Sequence, residues 1–237
     1  MNTIEFIKNN FKNYYIDNGP ENGILQGTKY AGCATHCRAC VNTIVRMIKP
    51  LSVLEIGSYH YESTVSMSRG MDTYLKENEG VIHTFDIKTG GYDGFGKNNN
   101  LPKRITASYW YPYNTTYDTW KYNDPGIVYQ DFKNYSNDKI FELNTTILNN
   151  IAPKNGYDMI FIDGDHSYEG IKRDWEHAKK VANENTLIVI DNVWDIRLHE
   201  VRKFYNDLQT HKWDFEEWND DHRDLNMVQD TGISLLY

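Results

Sequence analysis

Short apolar segments alternate with helical segments through the middle of the chain. Residues 51–56, 81–86, 157–163 and 186–191 are predicted as strands, and a helix with one apolar face separates the last two. Apolar strands that alternate with helices are typical of a parallel sheet covered on both faces. With 237 residues, the chain is long enough for one such α/β domain with a full core.

The two ends of the chain have different patterns. Residues 2–16 and 34–48 are predicted as helices, so we expect residues 1–50 to form a small N-terminal helical cap on a main domain of residues 51–237. A further strand is predicted at 127–131. The tail contains two more, at 213–218 and 232–237, joined by a polar loop that indicates antiparallel pairing. The prediction is therefore a mostly parallel, seven-stranded sheet with an antiparallel C-terminal edge.

Residues 88–126 form the one long segment without a clear helical period. Nine aromatic residues fall within these 39 positions. A loop of this length in a compact domain is typically a lid, a binding loop or a disordered segment, and the aromatic content argues against disorder. Two interpretations stay open: an inserted subdomain with its own small core, or a lid over the substrate.

Composition excludes several classes of function. The net charge is −8 without a block of Lys or Arg, which argues against binding to a nucleic-acid backbone. No run approaches the ~20 apolar residues of a membrane helix. Lys and Asn interrupt the apolar residues of the first segment, unlike a signal peptide. With only three cysteines, we expect a cytoplasmic protein with reduced thiols.

A glycine follows the first predicted strand directly. Glu55 lies at the end of that strand, Gly57 permits a tight turn, and a helix follows. Asp86 ends the next strand, where an acid in nucleotide-binding α/β folds accepts hydrogen bonds from a ribose diol. The pattern predicts a nucleotide-like ligand at this edge of the sheet.

Oxygen ligands end two later strands. Asp163 ends the first of them, and Asp191 and Asn192 follow the second. Strand ends of a parallel sheet meet at one edge, and two carboxylates with an amide oxygen suit a hard divalent cation such as Mg²⁺. Helix capping would explain one acid but not acids at two strand ends, so we favour a site.

These motifs, and the strand order over residues 40–237, resemble class I S-adenosylmethionine-dependent methyltransferases, which have a Rossmann-like fold. The similarity is greatest to the macrocin-type sugar O-methyltransferases, with kinship to the catechol and caffeoyl-CoA enzymes. It implies methyl transfer to a hydroxyl of a small molecule or sugar. As the composition indicates, we expect neither nucleic acid nor a membrane as a partner, and a homodimer is compatible with the resemblance. The chain departs from the family where Tyr59 and Tyr61 replace further glycines.

The resemblance also implies roles for individual residues. Glu55 and Gly57 would line the methionine side of S-adenosylmethionine, Asp86 would hold the ribose hydroxyls, and Asp131 would lie near the adenine. The full cofactor set is Glu55, Gly57, Ser58, Tyr59, Ser63, Asp86, Asp131 and Asp163. Asp163, Asp191 and Asn192 match the metal ligands of the catechol-like enzymes, for Mg²⁺ or Mn²⁺. His166 occupies the position of their catalytic lysine and is the candidate base.

Three alternatives to a metal-assisted transferase remain. Cys33, Cys37 and Cys40 have the spacing that holds an iron–sulfur cluster in radical S-adenosylmethionine enzymes. The same cysteines continue into Ile44 and Ile48 as one helical stripe, which favours a buried helix face. The other two alternatives are a metal-free methyltransferase that relies on His166, and a cofactor-binding protein without turnover.

Overall fold

The computed structural model describes residues 2–18, 35–58, 61–87, 101–111, 113, 135–195, 197–216 and 231–235. These residues form six helices and seven strands. The helices are α1 (Thr3–Asn18), α2 (Thr35–Ile48), α3 (Glu62–Met71), α4 (Asn137–Ile151), α5 (Tyr168–Val181) and α6 (His199–Asp207). The strands are β1 (Ser52–Ile56), β2 (Val81–Asp86), β3 (Ile105–Tyr109), β4 (Tyr157–Ile162), β5 (Ala182–Ile190), β6 (His211–Asp214) and β7 (Gly232–Leu235).

The strands form one sheet in the order β3-β2-β1-β4-β5-β7-β6. Strands β1 to β5 pair in parallel, whereas β7 is antiparallel to both β5 and β6. The predicted Rossmann-like sheet with an antiparallel C-terminal edge is therefore confirmed. Ile56 is paired in register with Ile162, and Ile162 with Ile190, so the ends of β1, β4 and β5 lie side by side.

Helices cover both faces of this sheet. On one face, α1, α2 and α3 pack on alternate strand residues such as Val53, Phe161 and Val189. On the other face, α4, α5 and α6 pack on the intervening residues, such as Leu54 and Ile160. Helices α1 and α2 thus share a hydrophobic core with the strands, and the division into a cap and a main domain stays a prediction.

The third strand differs from its predicted position. Residues 127–131, where the sequence predicts a strand, lie outside the described residues. Strand β3 instead lies within the segment 88–126 and pairs with β2, from Ile82 with Ile105 to Asp86 with Tyr109. As an edge strand it pairs with a neighbour on one side only, and Thr106 and Ala107 are exposed, so it lacks the apolar run of a central strand. Part of the supposed insertion is therefore sheet.

Two helices were also missed by the sequence patterns. Of α4, only Ile140, Asn144 and Leu148 are buried, which leaves a polar sequence with a narrow apolar stripe. Ser136 caps this helix by accepting a hydrogen bond from the Lys139 N–H at 3.2 Å. Helix α6 has only nine residues, too few for a clear period. No helix in the described part of the chain is both long enough and apolar enough to cross a membrane.

Candidate active site

The carboxyl edge of the sheet brings four strand ends together. The Gly57 N–H donates to the Phe85 carbonyl at 2.8 Å, and the Asp163 N–H donates to the Ile56 carbonyl at 2.8 Å. The Asp191 N–H continues the series to the Ile162 carbonyl at 3.0 Å. The first residues beyond β1, β4 and β5 are thus held in place by backbone hydrogen bonds, at the edge where open α/β sheets bind ligands.

Gly57 makes the turn after β1 and accommodates no side chain. Its φ is +92°, and an added Cβ would lie 2.0 Å from the Asp163 carbonyl oxygen. Both the left-handed backbone and this close approach require glycine. The turn therefore lies directly against the end of β4, and its approach to a ligand stays a prediction.

Asp86 ends β2 and is joined to the same turn. Its Oδ2 accepts a hydrogen bond from the Ser58 N–H at 2.9 Å, and the residue is half-buried. A carboxylate has two oxygens and about four acceptor sites, so it can accept hydrogen bonds from several donors at once. The structure brings Gly57, Ser58 and Asp86 together. Tyr59 and Asp131, also predicted for the cofactor site, lie outside the described residues.

Glu55 lies beneath this turn and is fully buried. Its Oε1 accepts from the Ser63 hydroxyl at 2.6 Å, and its Oε2 accepts from the hydroxyls of Thr84, at 2.5 Å, and of Thr64. Burial raises the pKa of Glu55 to about 7, although the three hydroxyl hydrogen bonds oppose the shift. Glu55 and Ser63 were predicted from the sequence, but the two threonines were not. Thr84 lies on a different strand, so no local spacing relates it to Glu55.

Helix α3 begins immediately after the turn. Tyr61 occupies its N-cap position with φ +61° and is almost completely buried, so at this position the bulky residue packs into the protein. Glu62, in the first helical turn, pairs with Arg38 of α2 at 2.9 Å, and both side chains are buried. The start of α3 is therefore fixed against both β1 and α2.

His166 lies in the loop after β4 and contacts Asp163. Its Nε2 is 3.2 Å from the Asp163 Oδ1, and about a third of its side chain is exposed. Burial lowers the pKa of His166, but the hydrogen bond and charge of Asp163, with the charges of Asp165 and Asp174, outweigh burial and raise it. A histidine oriented by a carboxylate and still open to solvent has the geometry of a general base.

Asp174 supports the turn that carries His166, and sequence analysis missed it. This buried carboxylate of α5 accepts a hydrogen bond from the Asp165 N–H at 3.4 Å. A Cβ on Gly164 would lie 2.5 Å from its Oδ2, so the turn passes directly over the carboxylate. Burial raises the pKa of Asp174 to about 7. No sequence pattern indicates this contact, because Asp174 lies among charged residues of an amphipathic helix.

The aromatic residues that follow β3 pack into the core. Trp110 and Tyr113 are buried, and the Tyr113 hydroxyl lies 2.7 Å from Nε2 of His177 on α5. The His177 ring stacks on Phe141 with 4.1 Å between centroids. These described residues therefore support the structural interpretation of the segment 88–126 rather than a lid. Its remaining residues, 88–100, 112 and 114–126, lie outside the described ranges.

The predicted metal ligands lie at the ends of β4 and β5. Asp163 and Asp191 follow residues that are paired in register, Asp191 is buried, and Asn192 adopts a left-handed φ of +60°. Within the described ranges, no three His, Cys, Asp or Glu side chains are grouped as a metal site. A cation at this edge would therefore need the amide oxygen of Asn192 in addition to the carboxylates.

Cys40 lies in the hydrophobic core. It is fully buried, and its Sγ lies 3.0 Å from the Thr231 hydroxyl. This is the environment of a packed thiol. The other two cysteines of the predicted cluster motif lie outside the described residues: Cys33 entirely, and Cys37 in its side chain.

A doubly wound sheet with polar groups at the carboxyl ends of its central strands defines a Rossmann-like, ligand-binding α/β domain. Residues 54–193 match the model of a family described as a methyltransferase domain (Methyltransf_24). The matched range spans β1 to β5 and more than half of the chain. The chain belongs to this methyltransferase family.

Individual proteins are also similar to this chain. Uncharacterized protein R132 of Acanthamoeba polyphaga mimivirus is 34% identical over 102 residues, which cover 40% of this chain and 43% of the relative. The chain thus spans less than half the length of that curated relative. An O-methyltransferase from Bacillus cereus, solved in complex with SAH, is similar in fold, with a TM-score of 0.51, 16% identity, and coverage of 94% of this chain and 89% of that one.

A second solved structure has the same kind of similarity. It is the O-methyltransferase TomG from Streptomyces achromogenes, in complex with SAM, with a TM-score of 0.49 and 14% identity over 94% of this chain and 88% of that one.

Proposed function

We propose that this chain binds S-adenosylmethionine and catalyses methyl transfer to a hydroxyl oxygen of a small molecule or sugar. The main support for the proposal is a hydrogen bond at the carboxyl edge of the sheet. There the Ser58 N–H, in the turn that begins at Gly57, donates to the Asp86 carboxylate at the end of β2. In a chain of a methyltransferase family, this arrangement supports a nucleoside ligand at the ends of β1 and β2.

The residues at this edge suit different parts of the cofactor. Asp86 is an acceptor-only carboxylate, so it would receive hydrogen bonds from the two ribose hydroxyls. Gly57 and Ser58 precede α3, and Ser63 lies in its first turn. These three residues would contact the methionine part of the cofactor, and Tyr59 is proposed for the same site. Asp131 is proposed near the adenine, and Asp163 would border the cofactor on the β4 side.

His166 would accept the proton of the acceptor hydroxyl. In the tautomer whose Nε2–H donates to Asp163 Oδ1, the Nδ1 lone pair is the basic one, and Nδ1 takes the proton. Bound S-adenosylmethionine supplies an electrophilic methyl group whose transfer to the acceptor oxygen leaves S-adenosylhomocysteine. Asp163 then stabilises the imidazolium, because the two charges are opposite and partly shielded from water.

The donor set at the ends of β4 and β5 fits a divalent cation. Two carboxylates, Asp163 and Asp191, stand on neighbouring strands, and like charges in a largely buried place are stabilised by a cation or a proton between them. With the amide of Asn192, they offer the oxygen ligands that Mg²⁺ or Mn²⁺ prefers. A cation held there would lower the pKa of a coordinated acceptor hydroxyl.

Transfer of labelled methyl groups tests the proposal. The protein would be incubated with S-adenosylmethionine carrying a radioactive methyl group and with three acceptor types: a catechol, a simple phenol and a glycoside. We expect labelled product from at least one hydroxyl acceptor, formed about 10²–10⁴-fold more slowly by the His166→Gln variant. Binding of S-adenosylhomocysteine without transfer to any of the three would contradict the catalytic part. Absence of binding would contradict the whole proposal.

A further inference from the structure

The Glu55 carboxylate is enclosed by hydroxyl groups from two other elements. None of the residue is accessible to solvent. Ser63 and Thr64 belong to the first turn of α3, and Thr84 belongs to β2. Since all three hydroxyls donate to the same carboxylate, Glu55 on β1 joins the start of α3 to the neighbouring strand.

Burial of the Glu55 carboxylate costs free energy that other interactions in the fold must offset. A buried carboxylate loses its hydration, and hydrogen bonds to an ionised group are the strongest replacements that side chains provide. Three hydroxyl donors occupy both oxygens, Oε1 through Ser63 and Oε2 through the two threonines. A hydroxyl has one proton to donate, so Ser63 cannot donate to Glu55 and to a ligand at the same time.

We infer that Glu55 is a positioning residue that fixes the start of α3, and with it the Gly57–Ser58 turn, for the methionine part of the cofactor. The inference rests on the proposed function, since it assumes that S-adenosylmethionine binds at this turn. It changes the role expected from the sequence, where Glu55 lines the cofactor directly. The carboxylate acts through Ser63, Thr64 and Thr84 and does not itself touch the ligand.

Affinities for S-adenosylhomocysteine and adenosine, measured by calorimetry, separate positioning from contact. Glu55→Gln replaces one acceptor oxygen with an NH₂ group and disrupts the cluster at its centre. Thr84→Val removes one hydroxyl at nearly constant shape and leaves Glu55 in place, whereas Thr84→Ser keeps the hydroxyl. Asp158→Asn is the matched control. Asp158 Oδ2 also accepts three hydrogen bonds, from Leu51 N–H, Ser52 N–H and the Ser52 hydroxyl, but at the opposite end of β1.

We expect Glu55→Gln and Thr84→Val each to weaken S-adenosylhomocysteine binding about tenfold. This is the effect of losing one hydrogen bond that holds the turn in its binding conformation. The double variant should be no weaker than the weaker single variant, because both changes break one cluster. Adenosine lacks the homocysteine part, so its affinity should stay within about twofold of wild type for both variants. Thr84→Ser and Asp158→Asn should bind both ligands as wild type does.

Several outcomes would overturn the inference while leaving the proposed function intact. If wild type binds and Glu55→Gln binds equally well, the carboxylate does not position the turn. If Glu55→Gln weakens binding and Thr84→Val does not, Glu55 contacts the ligand itself. Equal losses for adenosine, or for Asp158→Asn, would mean a general loss of structure. If Glu55→Gln fails to fold, Thr84→Val and Thr84→Ser still test the inference, and equal S-adenosylhomocysteine affinity in these two variants would overturn it. Failure of the wild-type protein to bind would refute the proposed function instead.

Discussion

Nε2 of His166 lies 3.2 Å from Oδ1 of Asp163, and the two residues sit at the end of β4 with only Gly164 and Asp165 between them. The strand fixes Asp163 through its backbone bond to Ile56, and the turn over Asp174 fixes the position of His166. These contacts within the protein orient the histidine beside the turn that is proposed to hold the cofactor.

Replacement of His166 should remove catalysis and leave cofactor binding intact. Loss of a general base typically lowers the rate about 10²–10⁴-fold, so we expect His166→Gln to lower kcat by that amount. Its affinity for S-adenosylhomocysteine should match wild type. His211→Gln is a control because His211 is exposed at the start of β6. A His166→Gln variant with wild-type kcat would remove His166 from the reaction.

Removal of divalent cations tests the proposed ligands Asp163, Asp191 and Asn192. We expect EDTA to abolish methyl transfer and Mg²⁺ or Mn²⁺ to restore it, because the cation would stabilise charge on the acceptor oxygen. Asn192→Ala should raise the Mg²⁺ concentration needed for half-maximal rate. Binding of S-adenosylhomocysteine provides the internal control and should be insensitive to EDTA. Full turnover in EDTA, with no metal found by elemental analysis, would instead support the metal-free alternative.

The central strands could be predicted from sequence because they are buried on both faces. Residues 81–85 and 157–162 are mostly apolar runs that an acid follows directly, and both strands lie within a few residues of their predicted bounds. Strand β3 could not be predicted, since an edge strand needs no such run. Two further contacts could not be predicted for a different reason. Only folding brings Thr84 to Glu55, and Asp174 to the Asp165 N–H in the turn that carries His166, and no local spacing encodes those contacts.

His177 should make the protein less stable in acid. Burial lowers the pKa of this fully buried histidine to about 3, with the charges of Lys180 and Arg173 in the same direction, against about 6.5 in the unfolded chain. Below pH 6.5 the unfolded chain binds a proton at His177, whereas His177 in the folded protein stays neutral until the pH approaches 3. The contribution to stability is therefore complete above pH 6.5 and is lost as the pH falls towards 3, with a slope of at most about 1.4 kcal/mol per pH unit.

Urea unfolding between pH 7 and pH 4 measures this effect. We expect His177→Gln to be less stable than wild type at pH 7, because Gln cannot reproduce the stack on Phe141. The difference should shrink as the pH falls. A difference that is constant with pH would show that His177 titrates normally in the folded protein.

Gly57 should tolerate no side chain. An added methyl group would collide with the Asp163 carbonyl and force an L-residue to φ +92°, so we expect Gly57→Ala to cost about 2–4 kcal/mol of stability and most of the cofactor affinity. Gly80→Ala is the matched control. Gly80 also has a positive φ of +73°, but its nearest contacts are the flexible ends of Met71 and Leu75. Wild-type cofactor affinity in Gly57→Ala would exclude the turn from the binding site.

Calorimetric titration with S-adenosylhomocysteine, for wild type and Asp86→Ala, tests the central claim most directly. The account predicts one molecule bound per chain. It also predicts that Asp86→Ala weakens binding by about 1.5–3 kcal/mol, the usual contribution of a hydrogen bond to a charged group. Asp138→Ala, which removes an exposed carboxylate from α4, should bind as wild type does. No binding by the wild-type protein, or unchanged affinity in a folded Asp86→Ala variant, would contradict the cofactor site at the ends of β1 and β2.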